Sequence, residues 1–304
     1  MDWLESIRRS VDYMEAHLLT LQGAAEVADA VHLSPFYLQK GFKVMTGYSV
    51  AEYVRNRRLY LAALDIIAGK EKMIDLAFRY GYDTPESFSR AFSRFHGVTP
   101  TQMKTEPASL KVFLPLKIKI TIQGGNKMDF YVEERDSFQV IGYERCFAFE
   151  DSYQKIPQFW SEVCGQKMKS LCAGKAPENE EEEVICSSGV GKYGICIDDM
   201  GKTGFRYLIA GDYRGGKVPE GMTVYEFPAL TWAKFRCTGP MPEALQAVNT
   251  KIFSEWLPGN PEYEIAFPGN VEWYSEASDM RAADYESEIW IPVRRKAAAV
   301  SPEN

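Results

Sequence analysis

The chain has 304 residues, of which 45% are hydrophobic and 25% charged, with a formal net charge of −7. That composition gives room for two globular cores and argues against a protein that coats nucleic acid by charge alone. Residues 1–127 hold 17 Lys and Arg against 13 Asp and Glu, whereas residues 128–304 hold 18 against 29, so the excess acid lies in the second half.

An amphipathic opening with Trp3, Leu4, Ile7, Val11 and Met14 leads to a helix whose apolar face is Ala24, Ala25, Val27, Ala28 and Val31. His32-Leu33 makes a turn, and Ser34 to Met45 follows as a second helix. Ser34 is a good N-cap and Pro35 fits the first turn, where its missing amide costs nothing. Leu38 and Phe42 supply the i, i+4 apolar stripe, and Gly47 stops the helix. The same pattern returns fifty residues on. Ile74, Leu76, Ala77 and Tyr80 form a supporting face, Gly81-Tyr82-Asp83 a turn, and Thr84 to Phe95 a helix with Thr84-Pro85, Phe88, Arg90 and Phe92, closed by Gly97. Each half reads as a helix-turn-helix, and two in tandem point to a reader of double-stranded DNA. Val50 to Ile67 is a continuous helix between them, roughly 25 Å long at ~1.5 Å per residue. A spacer of that length suits two recognition helices about one DNA turn apart.

Helical patterning ends at Pro107. From Leu110 to Ile122 the period changes, with Ile118, Ile120 and Ile122 alternating with polar residues as in a half-buried strand, before Gly124-Gly125. Strands are then expected at 139–147, 193–197 and 205–210 around a helix at 153–168, and again at 231–237, 263–266 and 288–293 around a helix at 243–256. Two strand-helix-strand-strand units make an α+β domain. The expected fold is therefore an all-α tandem helix-turn-helix domain at 1–107, a connecting segment with a first strand at 108–126, an α+β domain at 127–295 and a tail at 296–304. Glu178 and Glu180 to Glu183 read as a solvated loop.

The first half resembles the DNA-binding domain of AraC/XylS-type transcription regulators, on the tandem pattern together with "YVRNRRLYLA" at 53–62 and "IDLAFRYGYDTPESFSRAFSRFHGVTP" at 74–100. By position, the resemblance implies that Phe36, Gln39 and Lys40 face one groove and Glu86, Ser87 and Arg90 the next. Lys40 replaces the commoner Arg, and Pro85 and Glu86 stand where longer polar donors are often found. Ser34, Lys43, Thr84 and Arg94 are expected at phosphates. Phe36 has two readings, a staple of the helix start or a base contact. Arg55, Arg57 and Arg58 also have two, phosphate contact or pairing of one of them with Glu52 or Asp65 to hold the linker helix.

In the second half, Ile289, Ile291 and Val293 alternate with Glu288 and Trp290, so the last two share a sheet face. A carboxylate beside an indole suits an organic cation. This half resembles the GyrI-like small-molecule binding domain, on "YVEERDSFQVIGYE", the Phe159-Trp160 helix, "FPALTWAKFRCTGPMPEAL", "EWLP" and "YESEIWIPV". The resemblance implies a duplicated fold with a ligand cleft and maps its pocket acid onto Glu288. Trp160, Tyr193, Tyr207, Trp232, Trp256, Tyr274 and Trp290 are the aromatic candidates for its walls, each also a candidate for core. Glu288 is alternatively a solvated sheet-face acid.

Together these features and the two resemblances imply a ligand-responsive regulator that binds DNA and a small-molecule effector and is a monomer or weak dimer, with contact to RNA polymerase and a role as activator expected from the family resemblance. The competing reading is a GyrI-like hydrolase or sequestering protein with an attached DNA-binding domain, Glu288 acting as general base. No apolar run reaches the ~20 residues of a membrane span and no secretory layout opens the chain, so no membrane partner and a cytoplasmic location are expected. The six cysteines show no C-x-x-C spacing, nor do the three histidines pair with them. Free thiols, no metal and no cofactor are expected.

Overall fold

The computed structural model describes residues 3–69, 71–118, 128–149, 152–199, 204–276 and 279–296, apart from the side chains of Tyr153 and Cys172. Seven helices open the chain: α1 Trp3–Ala16, α2 Ala24–Val31, α3 Pro35–Thr46, α4 Val50–Ala68, α5 Met73–Arg79, α6 Pro85–His96 and α7 Pro100–Thr105. The Ser34 hydroxyl accepts from the Tyr37 amide and the Thr84 hydroxyl from the Ser87 amide, with Pro35 and Pro85 in the first turns. Gly47 and Gly97 close α3 and α6 at φ 79° and 82°, a conformation in which a Cβ is strained.

α4 is the shared spine. It starts from a reciprocal capping box of Ser49 and Glu52 and runs 19 residues, roughly 28 Å. Val50, Tyr53 and Val54 on its first turns pack with α1, α2 and α3. Leu59, Ala62, Ala63 and Ile66 further along pack with α5, α6 and Met103 of α7. Its basic cluster pairs outward rather than within the helix. Arg57 binds Glu15 of α1 through two contacts of 2.8 Å and donates to the Phe113 carbonyl at 2.5 Å, while Arg58 donates to the Leu18 and Leu21 carbonyls. The Arg57 side chain is 6% exposed. Burial works against its charge, and the Glu15 carboxylate more than offsets this, leaving its pKa raised. Losing one partner of such a pair costs about 3–5 kcal/mol, which makes Arg57 a clip between α1, α4 and the following segment.

That segment forms no strand through residue 118. The Phe113 carbonyl is taken by Arg57 and the Leu116 amide by the Tyr53 hydroxyl, so side chains occupy groups that a neighbouring strand would need. Residues 119–122 of the strand expected at Leu110 to Ile122, and the end of the tail from 297, lie outside the described residues.

The second half is one antiparallel sheet with helices on one face. Its strands are β1 Phe130–Arg135, β2 Phe138–Phe147, β3 Tyr193–Ile197, β4 Phe205–Asp212, β5 Thr223–Phe227, β6 Leu230–Thr238, β7 Tyr263–Ile265, β8 Gly269–Tyr274 and β9 Glu286–Arg295, in the order β1-β6-β9-β8-β3-β4-β2-β5 with β7 beside β9. The helices are α8 Ser152–Gln166, α9 Lys169–Cys172, α10 Glu180–Ser188 and α11 Glu243–Lys251, the last running on into a π-helical turn at Ile252–Trp256. The repeat is β2-α8-β3-β4 answered by β6-α11-β8-β9, joined where β3 pairs with β8. The inner strand of the second unit is β8, not the expected 263–266, which is the short edge strand β7. The acidic run expected as a loop is the first turn of α10, capped by Asn179, where Glu180 to Glu183 meet the positive end of the helix.

Two-residue links at 136–137 and 228–229 connect strands lying at or near opposite edges of this order, so the sheet rolls toward closure. Phe138 and Phe227 on one side thereby stack at 4.9 Å and reach Trp232 on the other at 6.2 and 5.6 Å. Tyr193, Ile195, Leu208, Val271 and Trp290 fill the same interior. The outer face carries α8 and α11. Among the described residues no helix is long and apolar enough to cross a membrane, and no group of three or more His, Cys, Asp or Glu is placed to hold a metal.

Candidate functional site: DNA-reading helices and effector cleft

α6 stands open. Thr84, Glu86, Arg90 and Arg94 are exposed while Phe88 and Phe92 bury its other face. Ser87 is half-buried, its hydroxyl donating back to the Thr84 carbonyl at 2.8 Å, which ties it to the helix start.

α3 is placed differently. None of its residues is exposed. Phe36 is 5% exposed, with its ring 5.3 Å from Phe205 of β4, and its amide donates to the Asp198 carboxylate, just past β3, at 2.8 Å. The Tyr37 hydroxyl donates to the Gly269 carbonyl of β8 at 2.5 Å. The Lys40 ammonium lies 5.3 Å from the Phe36 ring and 5.7 Å from that of Phe253. Ser34 and Gln39 are half-buried, and Lys43 pairs with Glu52 at 3.1 Å. The expectation that Phe36, Gln39 and Lys40 face an open groove is therefore corrected for this arrangement: the helix faces the sheet domain. Adjacent Phe36 and Tyr37 supply aromatic surface that is buried across the domain boundary. α1 follows the same path. Pro258 has no amide to give the Phe253 carbonyl in the π-helical turn, and the Trp3 indole donates to it at 3.2 Å.

On the helix-bearing face of the sheet a second constellation forms around an acid that sequence reasoning missed. The Glu272 carboxylate on β8 accepts from the Tyr274 hydroxyl at 2.8 Å and the Tyr207 hydroxyl at 3.4 Å. The Trp160 indole of α8 donates to Tyr207 at 2.9 Å and meets Tyr274 edge-on at 5.5 Å. Burial, with the Glu272 charge adding, holds both phenols well above their ordinary pKa, so both stay protonated donors. Gly194 sits opposite Glu272 in register, and a Cβ there would lie 2.3 Å from the Tyr207 hydroxyl oxygen. Only a bare backbone lets that phenol reach the acid. The arrangement is an anionic, aromatic-walled site, the chemistry that attracts an organic cation.

The aromatic set expected to line one cleft is divided. Trp160, Tyr207 and Tyr274 come together here. Tyr193, Trp232 and Trp290 belong to the rolled interior behind the sheet, and Trp256 packs on Phe235 and Phe130 at 4.8 and 5.4 Å. Glu288 shares the face of Trp290, as strand alternation requires, and accepts from the Trp290 indole at 2.7 Å and the Tyr131 hydroxyl at 3.1 Å. That places it away from the Glu272 cluster and engages the carboxylate that a hydrolytic reading needs as base. Tyr193 donates to Asp212 at 3.0 Å beside a groove of about 570 Å³ lined by Arg135, Phe138 and Lys192, none of the Glu272 cluster taking part.

Residues 131–293, more than half of the chain, match the family described as integron-associated effector binding protein, Cass2, and residues 27–106 match a helix-turn-helix domain family. The chain is 31% identical over 107 residues to the Right origin-binding protein of Escherichia coli K12, covering 35% of this chain and 37% of that protein. It is 30% identical over 104 residues to regulatory protein SoxS of Salmonella typhimurium, covering 34% of this chain and 97% of that one. Among solved structures, that of SAV2435 bound to tetraphenylphosphonium is similar with a TM-score of 0.43 and 20% identity, covering 55% of this chain and 94% of that one. The chain belongs to the Cass2 effector-binding family, with an AraC-type helix-turn-helix domain joined ahead of the effector-binding domain.

Proposed function

We propose that this chain is a one-component transcription activator that senses an organic cation. Residues 1–107 read DNA, residues 127–295 hold the effector, and residues 108–126 connect them. The observation that carries the ligand class is Glu272, whose carboxylate is held by the Tyr274 and Tyr207 hydroxyls under the Trp160 indole, with no salt bridge to a basic side chain among the described residues. A lipophilic cation placed there gains charge attraction and cation–π contact together. On the DNA side, Arg90 and Glu86 read bases and Arg94 and Thr84 hold phosphate, a reading supported by the exposure of all four on α6 and its N-cap. An effector changes DNA affinity only through its differential affinity for two arrangements of the chain. The reading is tested by selecting a duplex from a random pool with the full chain and measuring its affinity by fluorescence anisotropy with and without tetraphenylarsonium. The expected result is tighter binding with the cation, with more run-off transcript from a template carrying the site. Affinity and transcript both indifferent to the cation contradict it.

A further inference from the structure

The first DNA-reading helix lies across the join of the two sheet repeats, where β3 pairs with β8, on the face of the sheet that carries Glu272. Phe36 of α3 packs on Phe205 in one repeat, while Tyr37 and Lys40 lie against Phe253 in the other. The Tyr37 hydroxyl bonds β8 itself at Gly269, three residues from Glu272. The strand faces beneath are continuous, because Gly194 pairs with Glu272 and Cys196 with Asn270 across β3 and β8. Alternation places Gly194, Cys196, Glu272 and Asn270 on one side, with Asn270 roughly 7 Å along the strand from Glu272. We propose that α3 is the internal occupant of the effector cleft: docked α3 and a bound organic cation exclude one another, so cation binding releases the first DNA-reading helix. The proposal rests on the cation-sensing reading above and adds how that site is regulated.

Two substitutions of chemistry support it. Lys40 brings an ammonium onto aromatic rings at 5.3 and 5.7 Å, the contact that an organic cation makes. Both Lys40 and Glu272 act on the buried Cys196 thiol, which burial raises, Lys40 lowers and Glu272 raises further. At the other end, the Asp198 carboxylate takes the Phe36 amide at the N-terminus of α3, beside Ser34, where a DNA phosphate is expected. The sheet domain thus offers α3 an anion in place of the backbone of DNA.

The docked arrangement also leaves polar groups short of partners. Asn270 is fully buried, and neither its amide oxygen nor its nitrogen has a hydrogen-bond partner among the described residues. Burial raises the pKa of Asp198, the Phe36 amide opposing it, so docking takes a carboxylate out of water. Groups left this way weaken docking and give a competing ligand something to satisfy.

The test is hydrogen exchange by mass spectrometry on the full chain, with α6 peptides as internal control and tetraphenylarsonium binding measured alongside by calorimetry. Bound cation is expected to raise exchange across α3 at least about tenfold and leave α6 unchanged. Asp198→Ala is expected to show that faster α3 exchange without ligand and to bind the cation about tenfold more tightly, since a charge-assisted bond to the competing helix is gone. Lys40→Met, which leaves the sheet domain intact, is expected to tighten cation binding in the same direction. Cation binding that leaves α3 protection unchanged overturns the proposal while sparing the sensing reading. So does unchanged cation affinity in both variants. Absence of cation binding to every chain overturns the sensing reading and this proposal with it, whatever α3 exchange shows.

Discussion

Glu272→Gln lowers the affinity for tetraphenylarsonium by about 10- to 100-fold, roughly 1.4–2.8 kcal/mol, and leaves the secondary structure unchanged. The substitution is nearly isosteric. A glutamine oxygen still accepts from Tyr274 and Tyr207, whose distances of 2.8 and 3.4 Å fix the site, so the walls stay in place and only the charge is lost. Glu288→Gln is the matched control, expected to stay within about twofold of wild type. Its carboxylate lies on the Trp290 side of β9, bonded by Trp290 and Tyr131. The opposite ranking of the two variants, measured by calorimetry, moves the effector site to the rolled interior.

Arg90→Ala relaxes discrimination at one base pair of the selected duplex by about 1–3 kcal/mol, a 5- to 150-fold loss in preference. Arg90 is exposed on α6 and, among the described residues, forms no salt bridge that would hold it elsewhere. Arg94 lies one turn further along, and Arg94→Ala is expected to weaken every duplex alike and reduce the salt dependence of binding. Competition binding across single-base variants of the duplex separates the two. Wild-type discrimination in Arg90→Ala contradicts the assigned base contact.

The helical half was legible because its signals are local. Ser34, Thr84 and Ser49 announce helix starts through their own hydroxyls, and Gly47 and Gly97 announce ends through a backbone conformation that side chains resist. What stayed hidden depends on partners distant in sequence. β8 follows Pro268 and alternates Asn270 and Glu272 with Val271 and Trp273, but over only six residues, too short a run for the alternation to stand out beside the segment at 263–266. The usable signal was an acid flanked by Val271, Trp273 and Tyr274 in an alternating run. Glu288 is the more conspicuous acid in the sequence because Ile289, Ile291 and Val293 alternate around it and Trp290, but a sheet that rolls up covers both faces, and aromatic content then no longer marks the cleft. Likewise Phe36 reads as a helix-start staple or a base contact until Phe205, far along the chain, is found against it. Arg57 shows the same limit: its partner Glu15 lies in another helix, beyond the reach of i, i+4 reasoning.

The most direct measurement is calorimetry of the wild-type chain with tetraphenylarsonium and with tetraphenylborate, which share shape and apolar surface but differ in the sign of their charge. Saturable binding of the arsonium and none of the borate at the same concentrations is expected, because Glu272 attracts one and repels the other. Equal binding of both, or preference for the borate, contradicts a cation-sensing cleft built around that carboxylate.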